Sequence, residues 1–303
     1  MIKNTLKQHI NQKFVLSISG GVDSMVLLDL MIKADFDIVV VHFNHNKRAA
    51  SIDEAAYIKN YCLKNHIDYE YFILDFTNDN FHDQAHQLRK QHLIDVAKKY
   101  NTNLIVTGHH LNDLAETILM KLSRGSNIAG YAGMNQSIEK DGFYYLKPLL
   151  DTSKQALYQY AKEHQVYYFE DDSNTSNDYT RNRFRHNIMP ELERENPQFL
   201  DKVSQYSQML FEASDFIKQN AVNYITSHTK IHMDTFKALH PIIQKEVVSL
   251  LLTDFDIEQT NQKINGLVTF LLNAGPNQSY QLNEQYVFQK NYKHAFIKTK
   301  NEP

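Results

Sequence analysis

Apolar positions come in two rhythms over the first 125 residues, short continuous runs and longer stretches at helical spacing, and the two alternate. KFVLSIS at 13–19 is a continuous run closed by Gly20-Gly21, which predicts a buried strand ending in a tight turn. Residues 23–33 then repeat apolar side chains at helical intervals through Met25, Leu28, Met31 and Ile32. DIVVVHF, from Asp37 to Phe43, is β-branched without interruption, as a strand covered on both faces requires. Ser51-Ile52-Asp53-Glu54 has the form of a capping box and predicts a helix running to about Asn65. A strand at 69–74, a helix at 81–100, a strand at 103–107 and a helix at 111–123 ending near Gly125 complete the alternation. Such alternation builds a doubly wound parallel sheet with right-handed crossovers, an α/β fold.

Beyond this point the pattern changes. Asp141-Gly142 predicts a hairpin turn before YYLKPLL, a helix follows at 153–164, and EDDSNTSNDYTRN reads as a polar loop. From about 188 to 270 the spacing is helical and includes the long amphipathic VSQYSQMLFEASDFIKQNAVNYI. The tail QSYQLNEQYVFQKNYKHAFIK alternates and carries aromatic residues, predicting a small antiparallel sheet. The chain is therefore expected to divide into an α/β catalytic domain over 1–200 and a mainly helical domain over 201–303.

Composition narrows the class. Hydrophobic residues make up 42% and charged residues 22%, an ordinary globular balance, and no apolar run approaches the length of a membrane span. The first residues lack a signal-peptide core, and the one cysteine, Cys62, excludes an internal disulfide, so a cytoplasmic location is expected. A net charge of −3 does not advertise nucleic-acid binding, yet Lys47-Arg48 and the run Arg181 to His186 concentrate positive charge locally. Each cluster fits either a phosphate contact or a solvated helix face.

The chemistry concentrates where the predicted strands end. Ser19-Gly20-Gly21-Val22-Asp23-Ser24 joins a strand to a helix, and its glycines let the backbone approach a ligand while the helix offers free N–H groups to an anion. Asp23 would repel a phosphate, which points to a bridging Mg²⁺. No GxxxxGK[ST] pattern is present, so the phosphate lysine of a Walker A loop is missing. His42, Asn44 and His45, followed by Lys47 and Arg48, close the second strand at the sheet edge where ligands bind. Gly108, His109 and His110 close the fourth, and Asp113 and Glu116 stand three apart on one face of the next helix. Those acids suit a helix N-terminus, a metal, or an amine substrate.

Taken in order, SGGVDS, HFNHNKR, GHHLNDLAET, LSRGSNIAGYAGM, KPLL and DDSNTSNDYTRNRFRHNIMPEL resemble the tRNA(Ile)-lysidine synthetases, N-type ATP pyrophosphatases of the PP-loop superfamily, over about residues 13 to 195. The chain departs from that pattern at Asn112, where two adjacent acids are usual, and at Ala85 to Lys90, where an A-R-x-x-R-Y element is usual. Many relatives continue into a third, acceptor-stem-binding domain, whereas this chain ends soon after the second, so either a minimal or a truncated form is expected.

The resemblance implies an adenine nucleotide alpha hydrolase-like sheet, ATP and Mg²⁺ as cofactors, and free L-lysine and a CAU-anticodon tRNA(Ile) as substrates. A homodimer is among the assemblies it allows. It implies nucleotide contacts from Ser19 to Ser24, His42, Asn44, His45, Gly108 and His109, with Asp23 toward the metal. Asp113, Glu116, Arg181 and Arg185 fall to catalysis, and Lys47, Arg48, Arg89, His110, Arg124 and Asn182 to substrate. The implied reaction adenylates the C2 oxygen of the wobble cytidine, after which the lysine ε-amine attacks C2. Three rivals share parts of this pattern. A tRNA thiolase would ordinarily need paired cysteines, a glutamine-fed synthetase a glutaminase, and a tRNA-binding module would bind without consuming ATP.

Overall fold

Phe14–Ser17 (β1) carries no charge and is buried but for its last residue, which suits it to the middle of a sheet. The computed structural model describes residues 2, 6–44, 50–74, 81–170, 180–226 and 230–300, with backbone alone at 50, 81–86 and 226. β1 pairs in parallel with Ile38–Asn44 (β2) on one side and Leu104–Thr107 (β4) on the other. Asp68–Ile73 (β3) lies outside β2, and the hairpin Ser137–Lys140 (β5) and Phe143–Leu146 (β6) completes the order β3-β2-β1-β4-β6-β5. β6 runs parallel to β4, and only β5, at the edge, is antiparallel.

Side-chain alternation along the strands divides the interior in two. Val15, Val39, Val41 and Ile105 face one way, onto Leu93, Val96 and Ala97 of helix Phe81–Lys99. Leu16, Val40, Val106 and Leu146 face the other way. They meet helix Val22–Lys33 (α1), Ile58 and Cys62 of helix Ala50–Lys64, and Leu157 and Ala161 of helix Lys154–Glu163. A strand covered on both faces has no polar side to offer, which is why these runs are continuous rather than alternating.

The parallel order and the covering helices agree with the α/β expectation. The predicted hairpin forms and extends the sheet, its turn formed by Asp141 and Gly142 with φ of 56° and 78°, both left-handed as a two-residue hairpin turn demands. One local reading changes. Ser51 is not the cap of its helix, which already begins at Ala50. Its carbonyl instead accepts from the Asn44 side chain.

The described chain forms two compact units, Met1–Gly125 with Gly130–Ser207, and Ser126–Ala129 with Gln208–Pro303. The second unit packs helices Pro241–Asp254 and Asn261–Asn273 against an antiparallel sheet ordered β7-β10-β9-β8. Those strands are Ile231–His232 (β7), Gln278–Gln281 (β8), Tyr286–Lys290 (β9) and His294–Thr299 (β10). Val247, Leu267, Leu271, Phe236 and Phe288 are its fully buried centre. The two-residue β7 carries no readable alternation, and the sequence did not suggest it. No helix among the described residues is long and apolar enough to cross a membrane.

Candidate active site

The strand order places β1 and β4 side by side at the point where successive connections leave in opposite directions, and the loops after both strands meet there. Ser24 organises the first loop. Its hydroxyl accepts from the backbone N–H of Ser19 (3.2 Å) and Gly20 (3.1 Å) and donates to the carbonyl of Gly21 (2.9 Å). Gly20 has φ +95°, a left-handed conformation that favours glycine, and a β-carbon there would stand in ordinary contact with Phe169 and Ile58. Its carbonyl accepts from the N–H of Phe169, pinning the loop to the strand-like stretch after helix Lys154–Glu163. Gly21 caps α1 without any side-chain hydrogen bond, and the open space above it holds only the Ser19 hydroxyl. The first N–H groups of α1 and the dipole behind them are left for an anion. Val22 is buried in the core and contributes backbone alone.

The second loop lies against the first. A β-carbon on Gly108 would stand 3.4 Å from the carbonyl of Asp23 and the Cα of Ser24, so the two loops pass within van der Waals reach of each other here. His109 bonds through Nδ1 to the Thr107 hydroxyl (2.8 Å), and burial pushes its pKa down to about 4. His110 caps helix Leu111–Arg124 in a reciprocal box with Asp113: Nδ1 accepts from the Asp113 N–H, while the Asp113 carboxylate accepts from the His110 N–H. Burial also lowers the His110 pKa. With Nδ1 accepting, the neutral ring carries its proton on Nε2, which faces Asp23 (3.6 Å) and Asp113 (3.5 Å).

Asp113 and Glu116 project together, as their spacing predicts, and meet two arginines. Glu116 is 1% exposed, and accepts from Arg181 Nε (2.7 Å), Arg185 Nε (2.7 Å) and a terminal nitrogen of Arg185 (3.1 Å). Asp113 accepts from the same two arginines at 3.0 and 3.3 Å. Burial pushes the Asp113 carboxyl up, but His110, Arg181 and the His110 N–H together hold it below the usual carboxylate range. Arg185 is desolvated, which lowers its pKa, yet its bonds to Glu116 raise it overall. The arginines sit on Thr180–Arg183 and on the π-helical turn Phe184–Ile188, a widened winding that recurs where function demands unusual side-chain placement.

Comparison with known proteins shows the family of the chain. Residues 1–192 match the PP-loop domain family. The tRNA(Ile)-lysidine synthase of Aster yellows witches'-broom phytoplasma is 36% identical over 302 residues, spanning 97% of this chain and 69% of that protein. The chain belongs to the tRNA(Ile)-lysidine synthase family. Members from Enterococcus faecalis (38% identical, 69% of this chain, 46% of that one) and Francisella philomiragia (28% identical, 99% and 77%) are similar as well. A U34-tRNA thiolase from Methanococcus maripaludis shares the fold, with a TM-score of 0.55 at 17% identity over 69% of this chain and 77% of that chain.

Within this lysidine synthase family member, the remaining candidates take varied positions. His42 is 2% exposed with Nδ1 on the Ile18 carbonyl (2.9 Å), and burial lowers its pKa. Asn44 is equally enclosed, donating to the Tyr71 hydroxyl (2.8 Å) and the Ser51 carbonyl. Both side chains brace the strand ends instead of facing open space, because β2 is covered on both sides to its last residue. His45, Lys47 and Arg48 lie outside the described residues. Arg89 lies on helix Phe81–Lys99, its Nε buried without a hydrogen-bond partner among the described residues. Arg124 is exposed at the far end of helix Leu111–Arg124, three turns and about 16 Å from Asp113 at the ordinary helical rise. Asn182 is half-buried between Arg181 and Arg183.

Asp23, the expected metal ligand, has both its oxygens 2.7 Å from Lys154 Nζ. Among the described residues no three His, Cys, Asp or Glu side chains are grouped to hold a metal ion. Lys154 escaped the sequence reading, since nothing local marks it. Its one signal was position, at the start of the helix after KPLL.

Proposed function

We propose that the chain joins free lysine to C2 of the wobble cytidine in a CAU-anticodon isoleucine tRNA, converting ATP to AMP and pyrophosphate. One observation carries this reading: the serine-braced glycine loop at the head of α1 meets the Asp113–Glu116–Arg181–Arg185 cluster, through Asp23 and His110, at one edge of the sheet. The curated relatives named for this activity support it, the chain spanning between 46% and 77% of their lengths.

ATP is read as lying with its phosphates on the N–H groups after Gly20, where the helix dipole favours negative charge. The C2 oxygen of the cytidine attacks the α-phosphorus, the bond to the β-phosphate oxygen breaks, and pyrophosphate departs. The C2 oxygen now leaves as part of AMP when the lysine ε-nitrogen bonds to C2. Mg²⁺ supplies charge neutralisation when bound with the phosphates. Asp23, in the first turn of α1, is the carboxylate that would hold it.

Lysine's ammonium, with a pKa near ~10.4, arrives protonated. Held below the usual carboxylate range, Asp113 suits gripping that ammonium through a charge-assisted hydrogen bond, and the proton the nitrogen must lose before it bonds to C2 passes along that bond to Asp113 and on to water. Glu116, with both oxygens committed, is read as the anchor that aims Arg181 and Arg185 toward the lysine carboxylate or phosphate oxygens. His109, its pKa pushed down to about 4 by burial, adds no positive charge that would repel the amine.

The test is incubation with ATP, Mg²⁺, labelled lysine and a CAU-anticodon isoleucine tRNA transcript, followed by mild alkaline deacylation. Label that needs ATP and survives deacylation is the expected result. Pyrophosphate release that needs some other acceptor, with no stable label, would keep an adenylating enzyme and discard lysine transfer.

A further inference from the structure

The glycine loop contains an acid and no base. Asp23 sits in the first turn of α1, where its charge opposes the anion that the helix end attracts. The compensating cation comes from 131 residues further on, where Lys154 opens helix Lys154–Glu163 and sets Nζ 2.7 Å from each Asp23 oxygen. Its position is fixed by more than that pair. The Lys154 N–H donates to the Asn112 side chain (2.9 Å), tying the helix start to helix Leu111–Arg124. Ser153 caps the same helix through the Ala156 N–H, and Nζ stands 5.3 Å from the centre of the Tyr158 ring. The side chain keeps 32% of its surface exposed and lines a cavity of about 780 Å³ with Asn112, Ser153 and Tyr158, so a ligand has access to it. A partly exposed Asp–Lys pair contributes about 0–1 kcal/mol to folding, too little to account for so many restraints on one amine.

We infer that Lys154 is the pyrophosphate-side cation of the loop: it neutralises Asp23 in the free protein and binds the β- and γ-phosphate oxygens of ATP, then the pyrophosphate released. This rests on the ATP-cleaving reading above. A lysine suits the exchange because its ammonium is a compact charge on a flexible stem, able to pass between a carboxylate and a phosphate a few ångströms apart without rebuilding the helix. Asn112, where an acid is usual in the family, then has a definite part. Its carbonyl orients the residue that carries the amine, while its Nδ2 donates to Glu193 (3.3 Å).

The experiment is calorimetric titration of the full chain with inorganic pyrophosphate in EDTA, which removes metal from the comparison. The proteins are wild type, K154M, K154R, D23N and D23N/K154M, each checked by its melting curve. Direct contact predicts that K154M binds pyrophosphate about tenfold or more weakly and that K154R recovers most of the loss. It also predicts that D23N/K154M remains about tenfold weaker than D23N. Equal affinity of D23N and D23N/K154M would overturn the inference, because Lys154 would then act only by cancelling Asp23. Equal affinity of K154M and wild type would overturn it too. Mg-ATP titrated into wild type keeps the two levels apart: no binding there removes the ATP reading itself, whereas binding unaffected by K154M removes only the lysine.

Discussion

Glu116 is the point at which the candidate site bears on stability, and its replacement by glutamine separates a bonded charge cluster from a solvated one. The carboxylate is 1% exposed and takes three hydrogen bonds from two guanidinium groups, at 2.7, 2.7 and 3.1 Å. A charge-assisted bond contributes about 1.5–3 kcal/mol, so three taken at face value sum to about 5–9 kcal/mol. Two features cut this down. Arg181 and Arg185 keep 41% and 34% of their side chains in solvent, so they rehydrate when released. Asp113 still holds both, at 3.0 and 3.3 Å.

Glu116→Gln preserves shape and one acceptor oxygen but turns an amide N–H₂ toward a guanidinium, leaving a buried donor facing a donor. The expected loss is about 2–3 kcal/mol, below the range for breaking a fully buried pair. In a unit of this size that corresponds to a fall in Tm of about 4–12 °C. Urea denaturation followed by circular dichroism reads the loss directly, and a cycle with R185Q reads the coupling, expected at about 1–2 kcal/mol. A loss under about 0.5 kcal/mol, with E116Q and R185Q additive, would refute the reasoning and make the cluster an ordinary surface ion pair.

Three further outcomes follow from particular contacts. Gly20→Ala places a side chain at φ +95° and 3.4 Å from the Phe169 ring, so it should cost about 1–2 kcal/mol and weaken ATP binding; titration with Mg-ATP checks this, and unchanged affinity would mean the loop tolerates another backbone path. His109 has a folded pKa of about 4 against an ordinary 6.5, so the unfolded chain takes up its proton first as pH falls. The stability it confers is whole above pH ~6.5 and declines toward pH ~4, by about 3 kcal/mol at most, and H109Q should flatten that limb of the denaturation profile while leaving the one below pH ~4. Lys290, buried in the second unit, donates to the carbonyls of Leu271 (2.7 Å) and Ala274 at the end of helix Asn261–Asn273. Lys290→Met should cost about 2 kcal/mol by stranding those acceptors, and a gain in Tm would show that desolvating the amine outweighs its bonds.

The sequence by itself determined what is set within a few residues. The continuous apolar runs of β1, β2 and β4 could only be strands covered on both faces, and the helices between them followed from their spacing. Gly20 and Gly142 were readable because a positive φ asks for glycine, and Asp113 with Glu116 because a three-residue interval puts both on one helix face. Tertiary structure decided the rest. That the Asp141-Gly142 hairpin would dock beside β4, that His42 and Asn44 would turn inward, and that Ser51 would lie inside its helix depend on which elements become neighbours. Arg181 and Arg185 were visible as charge, yet their partner Glu116 lies 65 and 69 residues away. Lys154 meets Asp23 across 131 residues. Periodicity and turn chemistry record local backbone preference, whereas a charge pair depends on distances created only when the sheet closes and the helices dock on it.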